Sequence, residues 1–208
     1  MNSQAGTSLI ELMIASALSV IALAIISSIY INGQKVVTER YKQLVLMQNT
    51  ESVLQMLSND LQRAGYDGNQ GHSLKMSGAD NTIFTQNGTD SGLVAYAYRV
   101  DLSGATPIYK NVVYQQRSGA SEALFVCEKK RDTVMTVSEA VDLVGTRICY
   151  QLFDKRVIKV TDFDITNDTL GGEKAKSAIV SVRLSTSFVD QPSIAVHQEI
   201  SITQRNWQ

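Results

Sequence analysis

Proline is nearly absent from this chain: the 208 residues contain two, and the first is Pro107. Because proline kinks or ends an α-helix, the first third of the chain is free to form one long uninterrupted helix. Charge is also missing locally, with none from residue 12 to residue 31. The whole chain has 20 acidic and 19 basic residues, and the resulting net charge of −1 excludes the strongly basic character of a dedicated nucleic-acid binder.

Cysteine is scarce too, with only Cys127 and Cys149. Neither belongs to a CxxC motif or a close His/Cys cluster, so a metal site is not expected. If this part of the chain lies outside the cytoplasm, a disulfide is the natural interpretation, and two buried free thiols are the alternative. An apolar content of 44% in 208 residues predicts one folded domain with an appendage.

The uncharged stretch from residue 12 to residue 31 is long enough to cross a membrane. At 1.5 Å per residue it spans about 30 Å, the thickness of a hydrocarbon core. Serine can bond back to its own helix, so the serines within the run are compatible with this interpretation. A cleaved signal peptide is the alternative, with Ala22-Leu23-Ala24 as its cleavage site, but MNSQAG lacks the basic residue that such a peptide needs.

The helix is predicted to continue beyond the apolar run, from Leu9 to Leu61, over about 80 Å. Gly33 is expected to loosen the junction of its two halves, and Gly65 to end it as the C′ residue, with Arg63 in the last turn. Apolar residues of the second half recur at spacings that define one helix face: Leu44, Met47, Leu54, Leu57 and Leu61. This face must pack on something, and the rest of the chain is the candidate.

Strand patterns dominate the remainder. Residues 67–92 are rich in Gly, Asn, Ser and Asp, which predicts turns and one short strand at 82–86. Apolar alternation predicts further strands at 94–100, 108–114, 124–127, 141–153, 180–188 and 194–202, the last two joined by a turn at 190–193. A long helix packed on an antiparallel sheet gives an α+β fold class.

The segment Gly6-Thr7-Ser8-Leu9-Ile10-Glu11, followed directly by the apolar run, resembles the processing site of type IV prepilins. The resemblance implies that a prepilin peptidase cuts after Gly6, that Thr7 becomes the N-methylated first residue, and that Glu11 is the fifth. Glu11 would then pair with the terminal amine of a neighbouring subunit during assembly. A wet, unpaired carboxylate in the headgroup zone is the alternative. The chain departs from the family pattern in its uncharged leader and in having Thr7 in place of the common phenylalanine.

The segment Leu61-Gln62-Arg63-Ala64-Gly65-Tyr66 is similar to the LQRAGY motif of PilW-like minor pilins, also called prepilin peptidase-dependent protein B. The chain end, Gln204-Arg205-Asn206, resembles their closing strand. The resemblance implies the pilin fold. A J-type minor pseudopilin of type II secretion is the runner-up, since it shares the membrane anchor and a β-rich head.

Chemical motifs are weak in the head region. The sequence has no GxSxG, HExxH, P-loop or GxGxxG motif in a plausible setting, and His72 and His197 are its only histidines, so we expect neither catalysis nor a cofactor. Residues 162–168, with Asp162, Asp164 and Asp168, are interpreted as a solvated turn rather than a calcium site. The basic run Lys129-Lys130-Arg131 could touch phosphates, as in a tip subunit that contacts DNA, although a solvated turn is favoured.

Together these patterns divide the chain into four parts. Residues 1–6 are the expected leader, 7–31 the transmembrane and assembly half of the helix, 32–65 its amphipathic half, and 66–208 a β-rich head outside the cytoplasm. The resemblance implies a minor pilin of a type IV pilus, or fimbrium, that primes assembly near the tip. Its implied partners are other major and minor pilins, the prepilin peptidase and the inner-membrane assembly platform. Its implied location is the bacterial inner membrane first and the pilus surface afterwards, where adhesion is a further possibility.

Overall fold

A computed structural model describes residues 8–68, 73–88, 92–101, 106–117, 120–143, 148–172 and 175–204. Its contacts divide the chain into two compact units, residues 1–42 and residues 43–208. The elements in chain order are α1 (Leu9–Leu61), β1 (Phe84–Gln86), β2 (Leu93–Arg99), β3 (Tyr109–Arg117), β4 (Ala120–Arg131), α2 (Val137–Asp142), β5 (Cys149–Gln151), β6 (Ile158–Gly172), β7 (Ala175–Phe188) and β8 (Ala195–Gln204).

The long helix α1 runs from Leu9 to Leu61, as the sequence predicted, and it continues through Gly33. Every described side chain from residue 8 to residue 41 is exposed. Two of the serines bond back to their own helix, which satisfies their hydroxyls in an apolar run: Ser16 Oγ donates to the Met13 carbonyl at 2.9 Å, and Ser19 Oγ to that of Ala15 at 2.7 Å. The uninterrupted helix follows from the absence of proline in this region.

In the second unit, one face of α1 packs into the core, and it includes three of the five residues of the predicted stripe, Leu54, Leu57 and Leu61. The buried residues are Leu46, Thr50, Val53, Leu54, Leu57 and Leu61. Leu44 and Met47 are instead 46% and 43% exposed. The prediction missed the polar Thr50, whose hydroxyl is satisfied inside the core by the Leu46 carbonyl at 2.9 Å and by Thr186 Oγ1 at 2.7 Å. Each fully buried leucine contributes about 2 kcal/mol to folding.

The strands form two antiparallel sheets, which confirms the α+β class and divides the expected sheet in two. The first sheet has the order β1-β2-β3-β4-β5, and the second has the order β6-β7-β8. The turn predicted at residues 190–193 joins β7 to β8. The second sheet contacts the first closely, because the Asn87 side-chain amide bonds both the carbonyl and the N–H of Ile165 on β6. Beside it, Gly92 lies directly against the Phe163 carbonyl, where a Cβ would not fit.

The first sheet is buried on both faces. One face, including Val94, Tyr96 and Tyr114, shares a core with α1 and the second sheet. The opposite face, including Leu93 and Cys127, packs in a separate cluster with the short helix α2 and its flanking residues. Strand β2 is therefore buried along almost its whole length, and its residues do not alternate between core and solvent.

The strand predicted at residues 141–153 is wrong. Residues 137–142 form helix α2, and among the described residues of this stretch only Cys149–Gln151 are extended, as β5. Helix α2 begins with a capping box, in which the Thr136 side chain accepts from the Glu139 N–H and the Glu139 side chain accepts from the Thr136 N–H. A Thr-x-x-Glu spacing before an apolar pair is a helix-start signal, so the sequence carried the information that would have identified α2.

The turn predicted at residues 162–168 is also wrong, because this stretch is the centre of β6. Phe163 and Ile165 are buried there, between the more accessible Asp162, Asp164 and Thr166. The sequence DFDIT therefore alternates with the period of two that a half-buried strand requires. The density of aspartate suggested a loop, whereas the alternation of apolar and polar residues correctly indicates a strand.

Candidate functional site

Glu11 lies in the first turn of α1 and already has a partner within its own chain. The Ser8 N–H donates a hydrogen bond to Glu11 Oε2 at 2.9 Å. This is half of a capping box, in which an acidic side chain three residues into the helix accepts from an N–H that the helix leaves unpaired. The positive end of the helix dipole favours the same carboxylate. Gly6 and Thr7, the predicted cleavage and methylation residues, lie outside the described residues.

The helix around Glu11 is apolar on every side. Leu9, Ile10, Leu12, Met13 and Ile14 are all at least 55% exposed. Within α1 an 18-residue window reaches a mean hydropathy of 2.5 with none of it buried, so the helix is long and apolar enough to cross a membrane. A helix that is apolar all round requires cover from lipid or from other apolar helices. The arrangement therefore combines a surface suited to helix bundling with a single carboxylate at its start.

The turn after α1 is fixed to two strands of the head. Gly65 has φ 76°, a left-handed conformation that glycine adopts without strain at a helix end. Its N–H donates to the Ala97 carbonyl at 2.9 Å, and the Arg99 N–H donates to the Tyr66 carbonyl at 2.7 Å. On the other side, Gln204 Nε2 of β8 donates to the Ala64 carbonyl at 2.6 Å. The two segments that carried the PilW-like resemblance thus meet in the structure, as far as Gln204; Arg205 and Asn206 lie outside the described residues.

Cys127 and Cys149 are bonded to each other. They are direct cross-strand partners between β4 and β5, with their Cα atoms 4.1 Å apart. Cys127 is completely buried in the cluster under α2. The bond attaches the three-residue strand β5 to the sheet, and it decides between the two interpretations of these cysteines in favour of the disulfide.

The basic run at residues 129–131 forms the end of β4 and not a turn. Side chains alternate along a strand, so Lys129 and Arg131 share one face while Lys130 lies on the other. Arg131 Nη1 pairs with Glu139 Oε1 at 2.8 Å, and this interaction, together with the backbone bond from Thr136, holds the pKa of Glu139 below its usual value. The three cations therefore do not form one unpaired patch for phosphates.

The aspartates proposed as possible calcium ligands are separated along a strand. Asp162, Asp164 and Asp168 belong to β6, and Asp164 lies 3.7 Å from Arg183. Among the described residues, no group of three His, Cys, Asp or Glu side chains is placed to hold a metal ion. His197 Nδ1 lies 2.8 Å from Ser185 Oγ on the neighbouring strand. His72 lies outside the described residues.

A family model described as Prepilin peptidase-dependent protein B matches residues 39–204. The chain belongs to the prepilin peptidase-dependent protein B family. This match covers the head and begins after the apolar run, so it is independent of the prepilin-like segment at residues 6–11. No curated protein and no solved structure matches the chain.

Membership of the prepilin peptidase-dependent protein B family agrees with three features of the chain. These are the apolar helix near its start, the α+β architecture and the disulfide-bonded head. The family description names dependence on a prepilin peptidase, which fits that enzyme as a partner.

Proposed function

We propose that this protein is a PilW-like minor pilin of a type IV pilus, whose work is assembly and not turnover of a substrate. In this proposal prepilin peptidase cleaves after Gly6, and the new amino terminus, Thr7, is N-methylated. Glu11 becomes the fifth residue and docks against the terminal amine of a neighbouring subunit. The observation that carries the proposal is that Glu11 is the one charged residue between Leu9 and Ile31, in an apolar part of α1 whose side chains are all exposed.

The docking step exchanges one partner of Glu11 for another. The carboxylate begins with the Ser8 N–H as its donor, a bond that neutralises only part of its charge. Among packed apolar helices the local dielectric is low, and a carboxylate there requires a full opposite charge with good geometry. A neighbour's terminal amine supplies that charge, so the ion pair sets the axial register of adjacent helices while apolar contacts supply most of the binding free energy.

The rest of the proposed cycle follows from this step. Before assembly the apolar helix holds the subunit in the bacterial inner membrane, with the head in the periplasm. The assembly platform then brings it together with other major and minor pilins in a complex that primes the filament, and the subunit remains near the tip on the cell surface. From residue 43 onward α1 packs with the head, since its buried leucines belong to the head's core.

The experiment that tests the proposal replaces Glu11 and counts surface pili. We expect Glu11→Ala to leave the protein membrane-bound and cleaved, but to exclude it from filaments and reduce pilus number. Glu39→Ala is the matched control, because Glu39 is an exposed carboxylate on the same helix. Normal piliation with Glu11→Ala would contradict the docking role. Loss of exoprotein export with intact pili after gene deletion would instead identify a type II secretion pseudopilin.

A further inference from the structure

The turn after α1 contains side chains that neither pack in the core nor are needed for the turn conformation. Leu61 and Ala64 are completely buried, and Gly65 supplies the left-handed conformation, so these three account for the packing and the turn. Gln62, Arg63 and Tyr66 are exposed. Tyr66 is a large ring with 43% of its surface in solvent.

These exposed side chains line one wall of an open groove. Gln62, Arg63 and Tyr66 stand on one side, and Tyr98, Arg99 and Val100 at the end of β2 complete the lining around a volume of about 410 Å³. Tyr98 is only 5% exposed, whereas Val100 is 40% exposed. The volume is sufficient for a few side chains of a bound segment. The groove thus offers apolar surface without a covering group from the described residues.

The described lining residues of the groove carry positive charge. Among the described residues that line it, Arg63 and Arg99 are the ionisable side chains apart from the tyrosines, and none is a carboxylate. Arg99 Nε is held by the Asp101 carbonyl at 2.7 Å, which fixes the guanidinium and leaves its other N–H groups available. The Arg63 side chain makes no hydrogen bond or ion pair with the part of the chain that the structure describes. The neighbouring Lys110 is neutralised by Glu128 at 2.7 Å.

We propose that this groove binds an acidic segment of another protein subunit. A carboxylate of that segment binds Arg63 and Arg99, since guanidinium groups match carboxylates in geometry and charge. An adjacent apolar side chain packs on Tyr66, Tyr98 and Val100. Two cations with apolar walls suit a peptide better than a nucleic acid, which is bound through many phosphate contacts. That the partner is another pilin rests on the proposed function; the binding chemistry does not.

The test measures binding of a defined probe to the full-length protein in detergent micelles. The probe is a fluorescein-labelled peptide, Gly-Asp-Leu-Asp-Gly, and its uncharged twin is Gly-Asn-Leu-Asn-Gly, both followed by fluorescence anisotropy. We expect the twin to bind about tenfold more weakly, and Arg63→Glu to weaken the acidic peptide by about tenfold or more. Lys155→Glu is the matched control, because it reverses an exposed positive charge elsewhere on the head, and it should change affinity less than about twofold.

Three results would overturn the inference: equal binding of the two peptides, undiminished binding by Arg63→Glu, or an equal loss with Lys155→Glu. Displacement of the peptide by a single-stranded oligothymidylate at equal concentration would assign the groove to nucleic acid instead. Arg63→Gln, checked for an unchanged near-UV circular dichroism spectrum, gives the same answer if Arg63→Glu does not fold. The peptide assay involves no filament, so a negative result does not affect the proposed docking role of Glu11. Normal piliation with Glu11→Ala, in turn, does not affect the proposed binding site in the groove.

Discussion

Gln204 donates a hydrogen bond from Nε2 to the carbonyl oxygen of Ala64, 140 residues earlier in the chain. The last strand of the head therefore binds one of the carbonyl groups that follow the end of α1, and it does so with a completely buried side chain. Helix ends leave carbonyls without intrahelical partners, and buried ones must find partners elsewhere. The bond joins the helix end, the turn and the closing strand into one unit.

Replacing this amide should loosen that junction. We expect Gln204→Leu to lower the free energy of unfolding by about 1 kcal/mol, because a buried hydrogen bond is lost while the volume is kept. Thermal unfolding of the full chain in detergent, followed by near-UV circular dichroism, should then show a midpoint lower by about 2–4 °C. Gln55→Leu, the same substitution at an exposed site on α1, is the control. Equal midpoints for the two variants would show that the Gln204 amide does not stabilise the junction.

Two glycines should respond oppositely to alanine. A Cβ on Gly92 would overlap the Phe163 carbonyl, which belongs to the backbone of β6 and cannot rotate away. Gly92→Ala should therefore destabilise the head by about 3 kcal/mol or more. Gly33→Ala meets no atom within 4 Å and should strengthen α1 locally by about 1 kcal/mol. The thermal midpoint of the head checks Gly92→Ala, and the helix content of the full chain in detergent, measured by far-UV circular dichroism, checks Gly33→Ala. A tolerated Gly92→Ala would refute the close packing of the two sheets.

The disulfide should be a large part of head stability. Cys127 and Cys149 are separated by 22 residues in sequence. Closing a loop of that length lowers the conformational entropy of the unfolded chain, which raises the free energy of unfolding by about 3 kcal/mol. We expect the double variant Cys127→Ala, Cys149→Ala to lose roughly this amount in urea unfolding, with β5 exchanging its amide hydrogens before β4. A reductant should lower the wild-type midpoint to the level of the double variant. An unchanged midpoint in both experiments would show that the bond is dispensable.

Alkaline pH should destabilise the head through two buried tyrosines. Burial raises the pKa of Tyr96 and of Tyr114 above the usual value, and the nearby Asp60, which accepts a bond from the Tyr114 hydroxyl at 3.2 Å, raises the pKa of Tyr114 further. Since the folded pKa exceeds the unfolded one, the stabilisation is complete below about pH 10 and is lost as the pH rises above it.

Above about pH 10 the free energy of unfolding should fall by about 1.4 kcal/mol per pH unit for each such tyrosine, and this fall is the slope to be measured. Tyr96→Phe should reduce the slope by about half. It should cost little at neutral pH, because Tyr114 lies beside the Tyr96 hydroxyl but no group among the described residues meets that hydroxyl in hydrogen-bond geometry. Urea unfolding at several alkaline pH values measures the slope. A slope that Tyr96→Phe leaves unchanged would exclude Tyr96 as a source.

Local patterns with a single dominant cause were predictable from the sequence. The absence of proline and the apolar periodicity were sufficient to predict one helix from Leu9 to Leu61, although Arg63 and Gly65 lie in the turn beyond its end and not in the last turn and at C′. The alternation on both sides of residues 190–193 was sufficient to predict the last hairpin. The two cysteines were correctly expected to pair, but sequence alone could not show that they join β4 to β5. These features depend on backbone geometry or on the periodicity of apolar residues within one segment, and both can be recognised in a single sequence.

The wrong predictions concern residues whose burial or secondary structure is set by contacts with distant parts of the chain. Thr50 is polar yet buried, because Thr186 on a distant strand satisfies its hydroxyl, so the predicted helix stripe missed it, although Leu54, Leu57 and Leu61 were correctly assigned to the core. Asp162 and Asp164 suggested a loop, yet they occupy the accessible face of a strand. The groove beside Arg63 was not predicted at all, because its walls come from segments more than thirty residues apart that only the fold brings together.

The central claim, that the chain is a processed pilin, is tested most directly by the intact mass of the protein purified from membranes of the native host. We expect a polypeptide that begins at Thr7 and carries one additional methyl group on its terminal amine, with the mass of an intact Cys127–Cys149 disulfide. A mass corresponding to the chain from Met1, or to one trimmed after Ala24 like an exported soluble protein, would contradict it.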